Sequence, residues 1–225
     1  MLVLFDIDGT LLSGATEAHS QALDRAIHEV HGVDPKDLRR QIGPAGRTDG
    51  EIARLILLDL GVSARRIDER ADDVREACCR IYAQICPPDL SDRVVPGIAE
   101  LLPWLAGRDG VALALVTGNF EPVARLKLRR AGIGRWFPSG QGAFGSDSED
   151  RASLPPIARR RAGKVPRDRA IVIGDTPRDI ACAQADGVRC VAVTTGQYGA
   201  EELVGADAVA RDSVELRARL EELGV

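Results

Sequence analysis

The sequence predicts an α/β fold, a doubly wound parallel sheet with an all-helical segment inserted after its first strand. Three observations carry this expectation. Four short apolar runs stop abruptly at polar residues, helical periodicities lie between them, and residues 13–92 read as helical throughout.

The apolar runs are Leu2–Phe5 before Asp6, Ala112–Val116 before Thr117-Gly118-Asn119, Ala170–Ile173 before Gly174-Asp175, and Cys190–Val193 before Thr194. Their hydrophobicity is continuous rather than alternating, as expected of strands covered on both faces in a parallel sheet. Helical spacing follows Ile98-Leu101-Leu102-Leu105, then Val123-Ala124-Leu126-Leu128 with Gly132 as the stop, then Ile180-Ala181-Ala183-Ala185 ending at Gly187. Strands and helices that alternate in this way build a Rossmann-like core, and such sheets bind ligands at the carboxyl ends of their strands. Asp6, Thr117 and Asp175 all fall at that edge.

The insert has its own order. Ala18-Ala22-Ala26-Val30 predicts one helix, Ile52 to Leu60 a second and Ile67 to Ile85 a third. Thr48-Asp49-Gly50-Glu51 reads as a capping box opening the second. Pro87-Pro88 closes the segment, and Val94-Val95-Pro96-Gly97 leads back. The expected division is a core of residues 1–12 and 93–225 and a helical domain of residues 13–92.

Composition narrows the function. The 225 residues are 44% hydrophobic and 28% charged, which suits a globular protein with a sizeable core. A net charge of −4 gives no electrostatic reason to expect nucleic acid, so Arg159-Arg160-Arg161 reads as a solvated helix face. Cys78, Cys79, Cys86, Cys182 and Cys190 show no C-x-x-C spacing, which argues against a zinc site or disulfide framework and for a reducing compartment. The first apolar run is broken by Asp6 and Asp8 and lacks a basic leader, and no run approaches the ~20 residues of a membrane span. A cytoplasmic monomer or homodimer with no membrane partner is expected. His19, His28 and His31 lack nearby cysteines or clustered carboxylates, and read as surface or packing residues.

The chemistry begins at Asp6-Ile7-Asp8-Gly9-Thr10. Two carboxylates so close at a strand end repel each other unless a cation offsets them, and magnesium takes hard oxygen ligands of this kind. Gly9 permits a sharp turn. Thr117-Gly118-Asn119 offers a hydroxyl and backbone N–H groups, and a helix opening at Glu121-Pro122 would favour an anion there. In Gly174-Asp175-Thr176-Pro177-Arg178-Asp179, Thr176, Pro177 and Asp179 make a good helix start, which explains Asp179 as a cap. Asp175, ahead of that cap, is free for a metal. Asp147, Glu149 and Asp150 read as caps for the helix that follows them.

In this order and spacing the three elements resemble the haloacid dehalogenase superfamily of aspartyl phosphatases, with its motifs DxDGT, strand-end Ser/Thr and GDTxxD. The insert resembles the C1-type cap of phosphoglycolate phosphatase-like members. The resemblance implies a small-molecule phosphate monoesterase acting on a phosphorylated metabolite, with Asp6 as nucleophile and Asp8 as general acid and base. It implies Mg2+ held by Asp6, the backbone carbonyl of Asp8 and Asp175, with Asp179 supporting the metal site. Thr117, Gly118 and Asn119 would hold phosphoryl oxygens.

The chain departs from the family where a lysine usually joins nucleophile to phosphate. Glu149-Asp150-Arg151-Ala152 stands there, so Arg151 takes the place by position and Lys127 is its rival. In the cap, Arg47 is the candidate for a second anionic group of the substrate. A phosphomutase of the beta-phosphoglucomutase type is the alternative on this scaffold. A dehalogenase needs neither metal nor Asp8, and a catalytically inactive binding module would have no use for an intact acidic set.

Overall fold

The run Leu2–Phe5 is strand β1 of the computed structural model, which describes residues 1–35 and 42–225. It lies near the centre of a six-stranded parallel sheet made with β2 (Ala112–Thr117), β3 (Ala143–Phe144), β4 (Ala170–Gly174), β5 (Arg189–Val193) and β6 (Ala208–Ala210), in the order β3-β2-β1-β4-β5-β6. The unbroken hydrophobicity now has its cause. Val3 and Phe5 face one core with Leu115 and Ile173, while Leu2 and Leu4 face the other with Ala114 and Val172. The edge strands β3 and β6 were not anticipated, because two and three residues are too short to leave an apolar run.

Eight α-helices are seen among the described residues. The insert contributes α1 (Glu17–His31), α2 (Asp49–Asp59) and α3 (Ala64–Ile85). The sheet is flanked by α4 (Ile98–Ala106), α5 (Glu121–Arg130), α6 (Leu154–Arg161), α7 (Pro177–Asp186) and α8 (Ser213–Glu222). Within the insert, Leu23, Ala26 and Ile27 of α1 are buried together with Ala77, Cys78 and Ile81 of α3, residues at helical spacing. Each fully buried Leu or Ile in such a seam contributes roughly 2 kcal/mol. The insert's two connections run side by side, with Leu12 opposite Val94 and Ser13 N donating to Arg93 O at 2.8 Å.

Three local readings change. Thr48 does cap α2, accepting from Glu51 N at 3.1 Å, but the Glu51 carboxylate pairs with Arg47, so the capping box forms by half. The triple arginine is not a uniformly solvated face. Arg159 grips Asp186 at 2.6 and 2.7 Å, and Arg161 grips Asp147 at 2.6 and 2.7 Å. Of the three acidic residues ahead of α6, Asp150 caps, accepting from Ala152 N at 2.9 Å, whereas Glu149 takes Arg54 of α2. Among the described residues no cysteine is in a disulfide, and no helix is long and apolar enough to cross a membrane.

Candidate active site

Strand register brings the chemistry together. Phe5 pairs with Leu115 on one side and Ile173 on the other, and Asp6 N extends the ladder to Ile173 O at 2.9 Å. The residues that follow these strands therefore emerge at one edge. A cavity of about 410 Å³ opens there between sheet and insert, lined by Asp6, Asp8, Asn119, Arg151, Asp175 and Arg47 among others. Gly118 also lines it, while Thr117 lies fully buried behind, its Oγ1 accepting from Asn119 Nδ2 at 3.1 Å.

Carboxylate oxygens of Asp6, Asp175 and Asp179 lie within 4.8 Å of one another. Burial pushes the Asp6 carboxyl up to about 7; Arg151 opposes this, while Asp179 and Asp8 add to it. Burial, then the charges of Asp6 and Asp179, push Asp175 up to about 8 against a 3.2 Å hydrogen bond from Thr10 Oγ1. Three buried acids facing one guanidinium leave negative charge uncompensated. A hard divalent cation fits that deficit and takes oxygen donors of this kind. The fit extends to Gly9, whose φ of +91° suits glycine and whose absent side chain leaves room for the Asp175 carboxylate.

Asp179 serves two ends at once. Its Oδ2 accepts from Thr176 N at 3.0 Å and Thr176 Oγ1 at 2.7 Å, completing a capping box, while Oδ1 bonds Arg151. Arg151 Nη2 also donates to Asp6 Oδ1 at 3.0 Å.

The Asp8 side chain lies apart from that acidic trio. Both its oxygens accept from Lys127 Nζ, at 2.7 and 2.8 Å, and Oδ2 accepts from Asn119 Nδ2 at 2.9 Å. Burial acts to raise the Asp8 carboxyl, but Lys127, His19 and these hydrogen bonds together hold it below its ordinary value. The structure thus gives Arg151 to Asp6 and Lys127 to Asp8. Lys127 is fully buried on α5, so it is no solvated helix lysine.

Sequence reasoning missed two residues here. His19, expected at the surface or in packing, is only 7% exposed. Its Nδ1 lies 3.2 Å from Lys127 Nζ and its Nε2 3.0 Å from Asp49 Oδ2. The same Asp49 oxygen accepts from Phe120 N at 2.7 Å, although Asp49 had been read only as part of a helix start. No local signal pointed to either, since the partners are 108 and 71 positions distant. Of the other histidines, His28 is exposed and His31 is buried. Arg47 lines the cavity, its Nη1 on Glu51 and its Nε 3.2 Å from Gly43 O.

Comparison with known proteins agrees with this architecture. A family model described as haloacid dehalogenase-like hydrolase matches residues 3–184. The chain is 31% identical over 215 residues to a phosphoglycolate phosphatase of Rhodospirillum rubrum, covering 92% of this chain and 85% of that one. It is 28% identical over 200 residues to phosphoglycolate phosphatase 1 of Pseudomonas aeruginosa, covering 87% and 70%. The crystal structure of a predicted phosphatase from Clostridium acetobutylicum superposes with a TM-score of 0.72 at 20% identity, covering 98% of each chain. On the family model and the sequence similarity to these relatives, the chain is a phosphatase and belongs to the haloacid dehalogenase-like hydrolase family.

Proposed function

We propose that the chain is a magnesium-dependent phosphatase of small-molecule phosphate monoesters that works through phosphoryl transfer to Asp6. One observation carries this reading. Two carboxylates two residues apart are held in opposite settings, Asp6 among acids beside Arg151 and Asp8 on Lys127. Asp6, within the acidic trio that fits a cation, is placed for attack on phosphorus, and Asp8, outside that trio on the cavity wall, is left for proton transfer.

In the first step an Asp6 oxygen attacks phosphorus, the bond from phosphorus to the leaving oxygen breaks, and Asp8 gives that oxygen its proton. In the second, water attacks the aspartyl-phosphate and Asp8 takes the water's proton. The bond between phosphorus and Asp6 then breaks to release phosphate. Asp6 must be ionised to attack and Asp8 must gain a proton before giving one. Burial raises the Asp6 carboxyl to about 7 and, against burial, Lys127 holds Asp8 low. A bound cation beside Asp6 and an anionic phosphate near Asp8 would each shift the neighbouring carboxyl in the direction the chemistry needs. Asp6, Asp175 and the Asp8 backbone carbonyl would hold Mg2+, with Asp179 in support. When bound, the ion offsets the charge of carboxylates and phosphate. Gly118 and Asn119 present backbone N–H groups to phosphoryl oxygens, with Thr117 behind them and Arg151 between phosphate and Asp6.

Residues 13–92 act as a cap that covers the site and selects the leaving group, and Arg47 is its contact for a second anionic group. The phosphoglycolate phosphatase relatives support a small phosphorylated acid as substrate. A mutase must bind two phosphates. Among the described residues, Arg47 is the sole Lys or Arg of the insert lining the cavity, and it is engaged by Glu51, which favours the phosphatase. Five cysteines without a disulfide suit a reducing cytoplasm. The test is phosphate release from a panel of monoesters including phosphoglycolate, with Mg2+ and with EDTA. Release only with Mg2+ supports the reading, and none from any monoester with Mg2+ present removes it.

A further inference from the structure

Lys127 is poorly explained as a phosphate ligand. It does not line the cavity, and two of its three ammonium hydrogens meet the Asp8 oxygens. The third direction leads into the insert. An ammonium has no lone pair, so His19 Nδ1, 3.2 Å away, is the acceptor, and the ring hydrogen sits on Nε2, where it donates to Asp49 Oδ2. That same oxygen accepts from Phe120 N, the residue immediately before α5, the helix that carries Lys127.

The contacts therefore close a ring. Two members, His19 and Asp49, belong to different helices of the insert; the other two, Lys127 and Phe120, belong to the core. Asp49 is also a backbone joint, its N–H donating to Gly118 O at 2.8 Å. Gly118 is tightly covered there, since a side chain on it would strike the Arg47 carbonyl. Asp49 touches the core only when the insert is seated against the turn that follows β2.

We propose that Lys127 is a positioning residue for Asp8, and that Asp49, acting through His19, makes this positioning conditional on the insert being seated. The proposal rests on Asp8 transferring the leaving-group proton, as set out above. With the insert lifted, Lys127 loses its His19 support and Asp8 loses its fixed place on the cavity wall, so proton transfer is confined to the covered site.

The experiment compares two esters across Lys127→Met, Asp49→Ala and the double variant, with Mg2+ present. One ester is an alkyl phosphate that the wild type hydrolyses, whose leaving oxygen needs a proton. The other is p-nitrophenyl phosphate, whose leaving group departs without one. Each single variant is expected to lower kcat/KM, which in a two-step mechanism reports only the phosphorylation of Asp6, by about 10-fold or more on the alkyl ester and by less than about 3-fold on the aryl ester. The double variant is expected to be no worse than Lys127→Met, because both changes cut one ring. Equal losses on the two esters, or losses that multiply in the double variant, overturn the proposal. Should Lys127→Met fail to fold, Asp49→Ala carries the same two-ester comparison alone. A wild type that hydrolyses neither ester, or an Asp6→Asn variant that remains active, removes the phosphatase reading itself and the proposal with it.

Discussion

Arg151 Nη2 donates to Asp6 Oδ1 at 3.0 Å and also bonds Asp179, so one guanidinium ties the end of β1 to the first turn of α7. Both carboxylates are nine-tenths buried or more, and Arg151 itself is 6% exposed. Removing it leaves two buried charges without their cation. Arg151→Ala is expected to lower kcat by at least about 100-fold on aryl and alkyl esters alike, since it acts on the nucleophile and the phosphate. Arg151→Lys keeps the charge but not the fork, and is expected to recover only part of that loss. Steady-state kinetics on both esters separates this uniform defect from the selective one expected of Lys127→Met.

Stability without metal should fall as pH rises. Asp6 is raised to about 7 and Asp175 to about 8, in both cases chiefly by burial. An acid raised in the folded state favours folding while protonated. Its contribution is complete below the unfolded value of about 4 and is lost as pH climbs through 7 and 8. In EDTA, calorimetry should give a lower Tm at about pH 8.5 than at about pH 5.5, and Mg2+ should raise Tm more at the higher pH. A flat profile with no magnesium effect would count against a metal at this acidic trio.

The insert's seating depends on Thr48, which is fully buried. Its Oγ1 accepts from Glu51 N at 3.1 Å and donates to Glu149 O at 2.7 Å, joining a helix cap to the loop that leads to Arg151. Thr48→Ala should destabilise the protein by about 1 to 2 kcal/mol in urea unfolding, a typical loss for a cap. Arg54→Ala, which breaks the more exposed pair with Glu149, should change stability by less than about 1 kcal/mol.

Gly118 lies where the core turn meets the Arg47 carbonyl. Gly118→Ala should push the insert away from the sheet edge and lower kcat/KM more than about 10-fold while leaving near-UV circular dichroism of the fold intact. Wild-type kinetics in this variant would mean that the insert need not seat there.

The frame of the fold was readable in the residues. Leu2–Phe5, Ala112–Val116, Ala170–Ile173 and Cys190–Val193 are buried on both sheet faces, and burial of that kind writes itself as unbroken apolar runs. Asp6, Asp8 and Asp175 follow such runs directly, so their meeting at one edge needed only the register of a parallel sheet. Arg151 stands ahead of α6 in the sequence, and the structure brings its guanidinium to Asp6. What stayed hidden was the ring of Lys127, His19 and Asp49. A lysine in a helix and a histidine among polar neighbours look solvated until distant segments fold onto them. Glu149 was misread for the same reason, because its partner Arg54 lies on the insert.

The central claim is that Asp6 carries the phosphoryl group. It is tested most directly by quenching the enzyme in acid during turnover of p-nitrophenyl phosphate with Mg2+, then mapping the phosphorylated peptide by mass spectrometry. The account predicts phosphate on the peptide containing Asp6 and its absence in Asp6→Asn. Continued phosphate release with no label at Asp6, or release by Asp6→Asn at the wild-type rate, would contradict it.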